Sequence, residues 1–321
     1  MIRYLTKRII LSIVTLLVLI TATFLLMQLL PGDPFTGEKV IKPEILENMK
    51  EKYGLDKPLY IQYFNYLKNL LHGDLGDSLN FKNRSVNAII SESFKYSFEL
   101  GLRALIFGII GGLIIGIIAS INRGKFLDSI SIFIAVIGVS VPSFIIGAII
   151  QYFLGYMFSA YLKEALGLTY NFFPITGWES FWHKLLPPFA LGMSALASIS
   201  RLMRSSMLEV LGLDYIKTAK AKGLTSKKVI FKHTIRNAII PVITYLGPLT
   251  AMLLTGTFVI EQIFDIPGLG KHFVDSVRTN DYTLLSGLTI FYGAFLISAI
   301  VIVDILYGII DPRIRLDGKK G

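Results

Sequence analysis

Six long apolar stretches, residues 9–30, 100–121, 130–157, 185–203, 238–260 and 284–310, restrict what this 321-residue chain can fold into. A helix rises about 1.5 Å per residue, so roughly 20 residues cross a hydrocarbon layer about 30 Å thick. Backbone groups inside lipid must be satisfied within the segment, which leaves helices as the spanning structure for runs of this length. The expected fold class is therefore all-α, a polytopic membrane protein with six transmembrane helices. A mean hydropathy of +0.61, with 53% hydrophobic against 17% charged residues, agrees with that class. The fourth stretch is the weakest, because Pro187 and Pro188 open it and Arg201 closes it. The first is too long for a signal core of about 7 to 15 residues, and no A-x-A site precedes Pro31-Gly32-Asp33, so it is read as an anchored helix.

Charge sets the expected orientation. With six spans both termini share one side, and the positive-inside rule assigns it. Placing the N-terminus in the cytoplasm gives the inside segments 18 Lys and Arg against five acids, while the outside segments hold 13 against 15. The formal net charge of +10 is explained by membrane orientation, and no nucleic-acid partner is needed. The chain is thus read as one transmembrane domain over 1–321, with an extracytoplasmic loop at 31–97 and a cytoplasmic loop at 204–237. Within the outer loop, Pro43 to Tyr53 reads as a charged helix. Pro58 to His72 reads as a second helix, with Leu59, Tyr63, Leu67, Leu70 and Leu71 near one face and Gly73 at its end.

Few residues are equipped for covalent chemistry. There are no cysteines, and the four histidines, His72, His183, His233 and His272, lack metal-binding spacing. The stretch Pro267 to His272 resembles a phosphate loop but misses the G-x-x-x-x-G-K-[ST] spacing. No catalytic residue, bound cofactor or metal is expected in this chain. Glu99 and Arg103, four residues apart in the second span, are expected to pair. Asp304 in the sixth is either a proton site or a bond to a neighbouring helix. Ala104, Gly108, Gly112, Gly116 and Ser120 make a stripe of small residues, read as either static helix packing or a seam that shifts during gating. Pro142 interrupts the third span, and Pro241 and Pro248 the fifth, which permits kinks.

The cytoplasmic loop carries the most local information. Asp214 is a candidate N-cap, Tyr215 to Lys222 makes two helical turns, and Gly223 suits a left-handed terminator. A second helix begins near Ser226. Tyr215 and Ala219 share one face, Ala221 is also small, and Lys217, Lys220 and Lys222 point elsewhere. Such a compact knob suits either a groove in another protein or, as a basic amphipathic helix, an anionic lipid surface.

The run Asp214-Tyr215-Ile216-Lys217-Thr218-Ala219-Lys220-Ala221-Lys222-Gly223-Leu224, followed by His233, Arg236, Asn237, Ala238 and Pro241, resembles the cytoplasmic coupling loop of ABC-transporter permeases in the peptide and nickel importer branch. The general signature E-A-A-x-x-x-G is replaced here by Lys217-Thr218-Ala219 before Gly223, and the peptide-branch pattern T-A-x-A-K-G-L is met from Thr218 to Leu224. Leu30-Pro31-Gly32-Asp33-Pro34, Tyr53 to Pro58, Gly73-Asp74-Leu75-Gly76-Asp77-Ser78, Ile263 to Gly270, Arg278 with Asp281-Tyr282, and Asp304 through Asp311-Pro312-Arg313 resemble the first-permease type, so nearly the whole chain is covered.

The resemblance implies a type I ABC importer transmembrane domain and no covalent chemistry in this subunit. It implies half of a pathway for oligopeptides or dipeptides in a bacterial or archaeal cell membrane, with both termini cytoplasmic. The implied partners are a second homologous permease, two cytoplasmic ATP-binding subunits that hold ATP and Mg, an extracytoplasmic solute-binding protein and membrane lipid. Asp214, Tyr215, Thr218, Ala219, Ala221, Gly223 and Leu224 would contact the ATPase; Gly108, Gly112 and Gly116 would pack helices. Nickel, glutathione or sugar remain alternative solutes, and a stand-alone secondary carrier or a membrane-embedded enzyme are the alternative classes.

Overall fold

The computed structural model of the chain describes residues 2–29, 47, 56–81, 83–167, 172–254 and 258–310, with the backbone alone at 2–5, 304 and 306–310. The helices are α1 (Ile2–Leu29), α2 (Leu59–Leu71), α3 (Val86–Ile121), α4 (Phe126–Ser140), α5 (Ser143–Leu166), α6 (Leu186–Gly212), α7 (Asp214–Ala221), α8 (Ser226–Ala238), α9 (Ile240–Leu254), α10 (Phe258–Ile263), α11 (Leu269–Arg278) and α12 (Tyr282–Ile310). Five of them hold stretches long and apolar enough to cross a membrane, and α8 with α9, bent by 47° at their junction, pass the same test of length and composition only when taken together, which brings the count to six. The helix expected at 43–53 lies outside the described residues except for Glu47, which is helical.

Helix α3 differs most from the apolar reading. It starts at Val86 rather than Leu100, with the Ser85 side chain accepting from the Ala88 amide at 3.2 Å as its cap. Ser91, Glu92, Lys95 and Glu99 hide the first four turns from a hydropathy reading. Val86, Ile89, Ile90, Ser93, Ser97 and Leu100 nevertheless recur at helical spacing and are buried. At about 1.5 Å per residue, 36 residues reach about 54 Å, well beyond a hydrocarbon layer of about 30 Å, so one end of α3 projects past it.

Helix α6 is the centre of the bundle. Pro187 and Pro188 stand in its first turn, where missing amide donors cost nothing, so they start the helix rather than weaken it. It runs nine residues past the expected end at Met203, because Met207 and Val210 continue the buried face and Arg204 finds a partner. The small-residue stripe of α3 lies against it. A Cβ at Gly108 would sit 2.7 Å from the Ala195 Cβ, one at Gly112 would sit 2.7 Å from the Ile199 Cβ, and one at Gly116 would sit 2.6 Å from the Ser200 carbonyl oxygen. Backbone closeness of this kind is the dispersion contact that holds helices together without a hydrophobic drive. The partner of the stripe is another helix of the same chain.

The third apolar stretch divides. Val141 and Pro142 separate α4 from α5, since Pro142 has no amide to continue α4 and instead begins α5 at φ −54°. In α9, Pro248 lies inside the helix. At the edge, α1 packs along α12, and α2 docks on α1 through the Tyr63 and Tyr66 rings around Phe24 and a 2.7 Å hydrogen bond between the Thr21 and Tyr63 hydroxyls. Tyr63 and Tyr66 therefore define the docked side of α2, whereas Leu59 and Leu71, expected on its apolar face, stay exposed.

Candidate coupling site

One end of the bundle carries α7, the turn at 222–225 and α8. Helix α7 starts one residue earlier than expected: Leu213, extended, takes the N-cap position, and Asp214 is the first helical residue rather than the cap. The Asp214 carboxylate receives Lys217 Nζ at 2.8 Å, an exposed pair worth little to stability. At the other end, the Leu224 amide donates to the Ala219 carbonyl at 3.3 Å and the Gly223 amide to Lys220 at 2.9 Å. Gly223 sits at φ +80°. This is a Schellman terminus, in which a left-handed glycine closes the last turn.

The buried side of α7 is Ile216 and Ala219. Ile216 is fully buried in the main core with Val229 of α8, so it anchors the helix to the bundle. Tyr215 lies beside that face, and its hydroxyl accepts from Asn237 Nδ2 at 2.9 Å, joining α7 to α8. Asp214, Thr218, Ala221 and Gly223 are exposed, and Leu224 packs partly buried against the core. Of the seven expected contact residues, the structure turns five outward and two inward.

Around this face Lys217, Lys220, Lys222, Lys227, Lys228 and Lys232 are exposed, and so is Phe231, at 68%. In sequence Phe231 is one apolar residue between Ile230 and Lys232, and only the fold turns its ring outward. Beneath it, Asp128 of α4 is buried and accepts from Arg204 Nε at 2.7 Å, Arg204 Nη2 at 2.9 Å and the Gly124 amide at 2.9 Å. That bidentate pair ties the 122–125 turn to α6.

The opposite end is built from segments far apart in sequence. Asp281 is fully buried at the start of α12 and accepts from the Ser78 hydroxyl, the amides of Leu79 and Asn80 at 3.2 Å, and the Leu284 amide at 3.0 Å. Glu99 pairs with Arg103 at 2.7 Å as expected from their spacing, and also takes Lys184 Nζ at 3.1 Å and Trp178 Nε1 at 2.9 Å. The turn at 267–272 leads into α11, whose first amides point at protein: Gly270 donates to Glu261 Oε2 at 2.7 Å. Between α3, α9 and α12 lies an apolar groove of about 440 Å³ that Phe98, Leu246, Thr250, Phe295 and Ala299 line. Asp304 belongs to α12, and its side chain lies outside the described residues. Among the described residues no group of three His, Asp or Glu is placed to hold a metal ion.

Residues 112–316 match the family of the binding-protein-dependent transport system inner membrane component, and residues 1–98 match the N-terminal region of that component. The chain is 45% identical over 321 residues to the dipeptide transport system permease protein DppB of Bacillus subtilis, covering all of both chains. It is 42% identical over 317 residues to the oligopeptide transport system permease protein OppB of Haemophilus influenzae, and 39% identical over 317 residues to that of Salmonella typhimurium, each covering 98% of this chain and all of the relative. The bundle of apolar helices and the full-length matches lead to one statement: the chain belongs to the family of binding-protein-dependent transport system inner membrane components.

Proposed function

We propose that this chain is one of two homologous permease subunits of an ATP-driven importer for dipeptides or oligopeptides. The reading is supported by relatives that carry dipeptide and oligopeptide permease names along the whole chain. The observation that carries the coupling part is α7 itself: a two-turn helix, anchored by buried Ile216, closed by Gly223 and exposed along Asp214, Thr218 and Ala221. A rigid, small-faced helix fixed to the bundle transmits a push without bending.

In this reading, two cytoplasmic ATP-binding subunits hold ATP and Mg and receive α7, with the exposed Tyr215 and Phe231 rings as flanking anchors. Their closure moves α7 and, through Ile216 and Val229, the core that α6 shares with α3. The bend between α8 and α9 gives that motion a place to concentrate. An extracytoplasmic binding protein delivers the peptide at the opposite end, both termini face the cytoplasm, and this subunit performs no covalent chemistry. Nickel, glutathione or another small solute of the same branch is the alternative cargo.

Proteoliposomes holding this chain, its homologous partner permease and the two ATPase subunits are expected to accumulate a dipeptide only when ATP and the binding protein are supplied. Accumulation by the permease pair alone would establish a secondary carrier instead.

A further inference from the structure

Glu261 lies on α10, past the fifth crossing, and no part of it reaches solvent. Its Oε2 accepts from the Gly270 amide at 2.7 Å, and the Ser97 hydroxyl hydrogen-bonds the same carboxyl while accepting from the Leu269 amide at 2.9 Å. Its Oε1 has no hydrogen-bond partner among the described residues. The Tyr292 hydroxyl of α12, which interacts electrostatically with Glu261, is likewise buried without a hydrogen-bond partner among them. The turn closes tightly on this carboxyl: a Cβ at Gly270 would lie 2.8 Å from Oε2, and one at Gly268 would lie 2.6 Å from Ser97 Oγ. A side chain of α3, a backbone amide of α11 and the Tyr292 side of α12 thus converge on one acid from α10.

An ionised carboxylate with an unpaired oxygen in a dry site is strongly disfavoured. A neutral acid fits the same donors better. Its carbonyl-like Oε2 still accepts from Gly270 and Ser97, and the unpartnered Oε1 no longer shares a negative charge. Among the described residues no cation pairs with this carboxyl. Lys271 is committed to Asp265 at 2.8 Å, the His272 ring stands edge-on to Phe81, and burial lowers that imidazole's pKa from its ordinary value. On α3 the nearest acid, Glu99, is committed to Arg103, Lys184 and Trp178, and α5 presents apolar Ile146 and Gly147 to this region. Burial accordingly pushes the Glu261 carboxyl up to about 7, although Ser97 and Gly270 pull it down.

We propose that Glu261 docks the exterior segment 258–278 onto the bundle as a neutral acid, and that loss of its proton releases the segment, so that the outer mouth of the pathway responds to external pH. What the segment gates rests on the permease reading; its docking does not. Because the docked state holds the proton more tightly than an open one, docking is complete below the ordinary carboxyl range, weakens as pH rises, and changes little above about pH 7.

Hydrogen exchange of the full-length chain in lipid nanodiscs tests this at amides 268–278, after correction for the intrinsic pH dependence of exchange. Protection is expected to fall roughly fortyfold between about pH 5 and about pH 7, the linkage for a carboxyl moving between about 4.5 and about 7. In Glu261→Gln, which mimics the neutral acid, protection should stay level. Removing a donor to the carboxyl, as in Ser97→Ala, should move the wild-type midpoint to higher pH. Unchanged protection in the wild-type chain, the same loss in Glu261→Gln, or an unmoved midpoint in Ser97→Ala each overturns the proposal. If Glu261→Gln fails to insert, Ser97→Ala decides alone. Since exchange needs no transport, a failed uptake assay would count against the permease reading and leave this result standing.

Discussion

Ser78 donates a buried hydrogen bond to Asp281, 203 residues away, and in doing so joins the loop before α3 to the first turn of α12. The same carboxylate takes the amides of Leu79, Asn80 and Leu284. It caps one helix and shapes one loop at once. Asp281→Ala strands four donors in a buried site, and a loss on the order of 3 kcal/mol or more is expected, against about 1 kcal/mol for Ser78→Ala. Thermal unfolding of the detergent-solubilised chain checks the order; equal effects of the two variants would contradict it.

The seam between α3 and α6 predicts a contrast between neighbouring glycines. A Cβ at Gly112 meets the Leu196 carbonyl at 2.8 Å as well as Ile199, whereas one at Gly111 meets only the flexible Leu196 side chain. Gly112→Ala forces the helices apart and should destabilise by about 1–3 kcal/mol, while Gly111→Ala is absorbed by a rotamer change. The yield of folded protein and its unfolding temperature in detergent give the comparison.

Arg204 and Asp128 form a pair in which the carboxylate is buried and the guanidinium is only partly so. Arg204→Ala leaves a buried charge with one backbone donor and should cost about 3 kcal/mol. The double variant Arg204→Met with Asp128→Leu should recover most of that, since an apolar pair removes the unpaired charge. A double-mutant cycle with no coupling energy would show that the pair contributes nothing.

Gly223 has open space around its α-carbon, so its requirement is conformational. At φ +80° a β-branched side chain is strained by roughly 1–2 kcal/mol, while asparagine tolerates the region. Gly223→Val is expected to insert normally yet lose most ATP-dependent uptake, and Gly223→Asn to keep it. Full uptake by a reconstituted Gly223→Val complex would separate α7 from coupling.

Phe231 is a large exposed ring between the lysines of α8. If it enters an ATPase groove, Phe231→Ser should weaken assembly about tenfold, the scale of an aromatic anchor worth about 1.4 kcal/mol, without altering the fold. Co-purification of the ATPase subunits at graded concentrations measures this. An unchanged affinity would place the ring outside the interface.

Much of the spanning pattern was legible because hydropathy is a one-dimensional property. The same method misplaced the start of α3, whose polar residues at 91, 92, 95 and 99 interrupt the apolar run but spare its inward face. It also ended α6 too early at Arg201 and Arg204, since only the fold supplies Asp128 as the partner that makes Arg204 tolerable. In α7 the local signals worked at the C-terminus, where Gly223 acts through its own backbone. They did not assign the inward face, because Ile216 is chosen by what α8 and the core present to it.

Sequence alone determined that this chain lives in a bilayer, roughly where it crosses, and that one loop carries a short capped helix, because each of these follows from consecutive residues. Only the tertiary structure decided that Asp128 meets Arg204, that Ser78 meets Asp281, and that Glu261 closes on Ser97 and Gly270. A polar group is tolerated in a dry interior when a matching partner is brought to it, and the segments that supply those partners lie 76 and 203 residues away for Asp128 and Asp281.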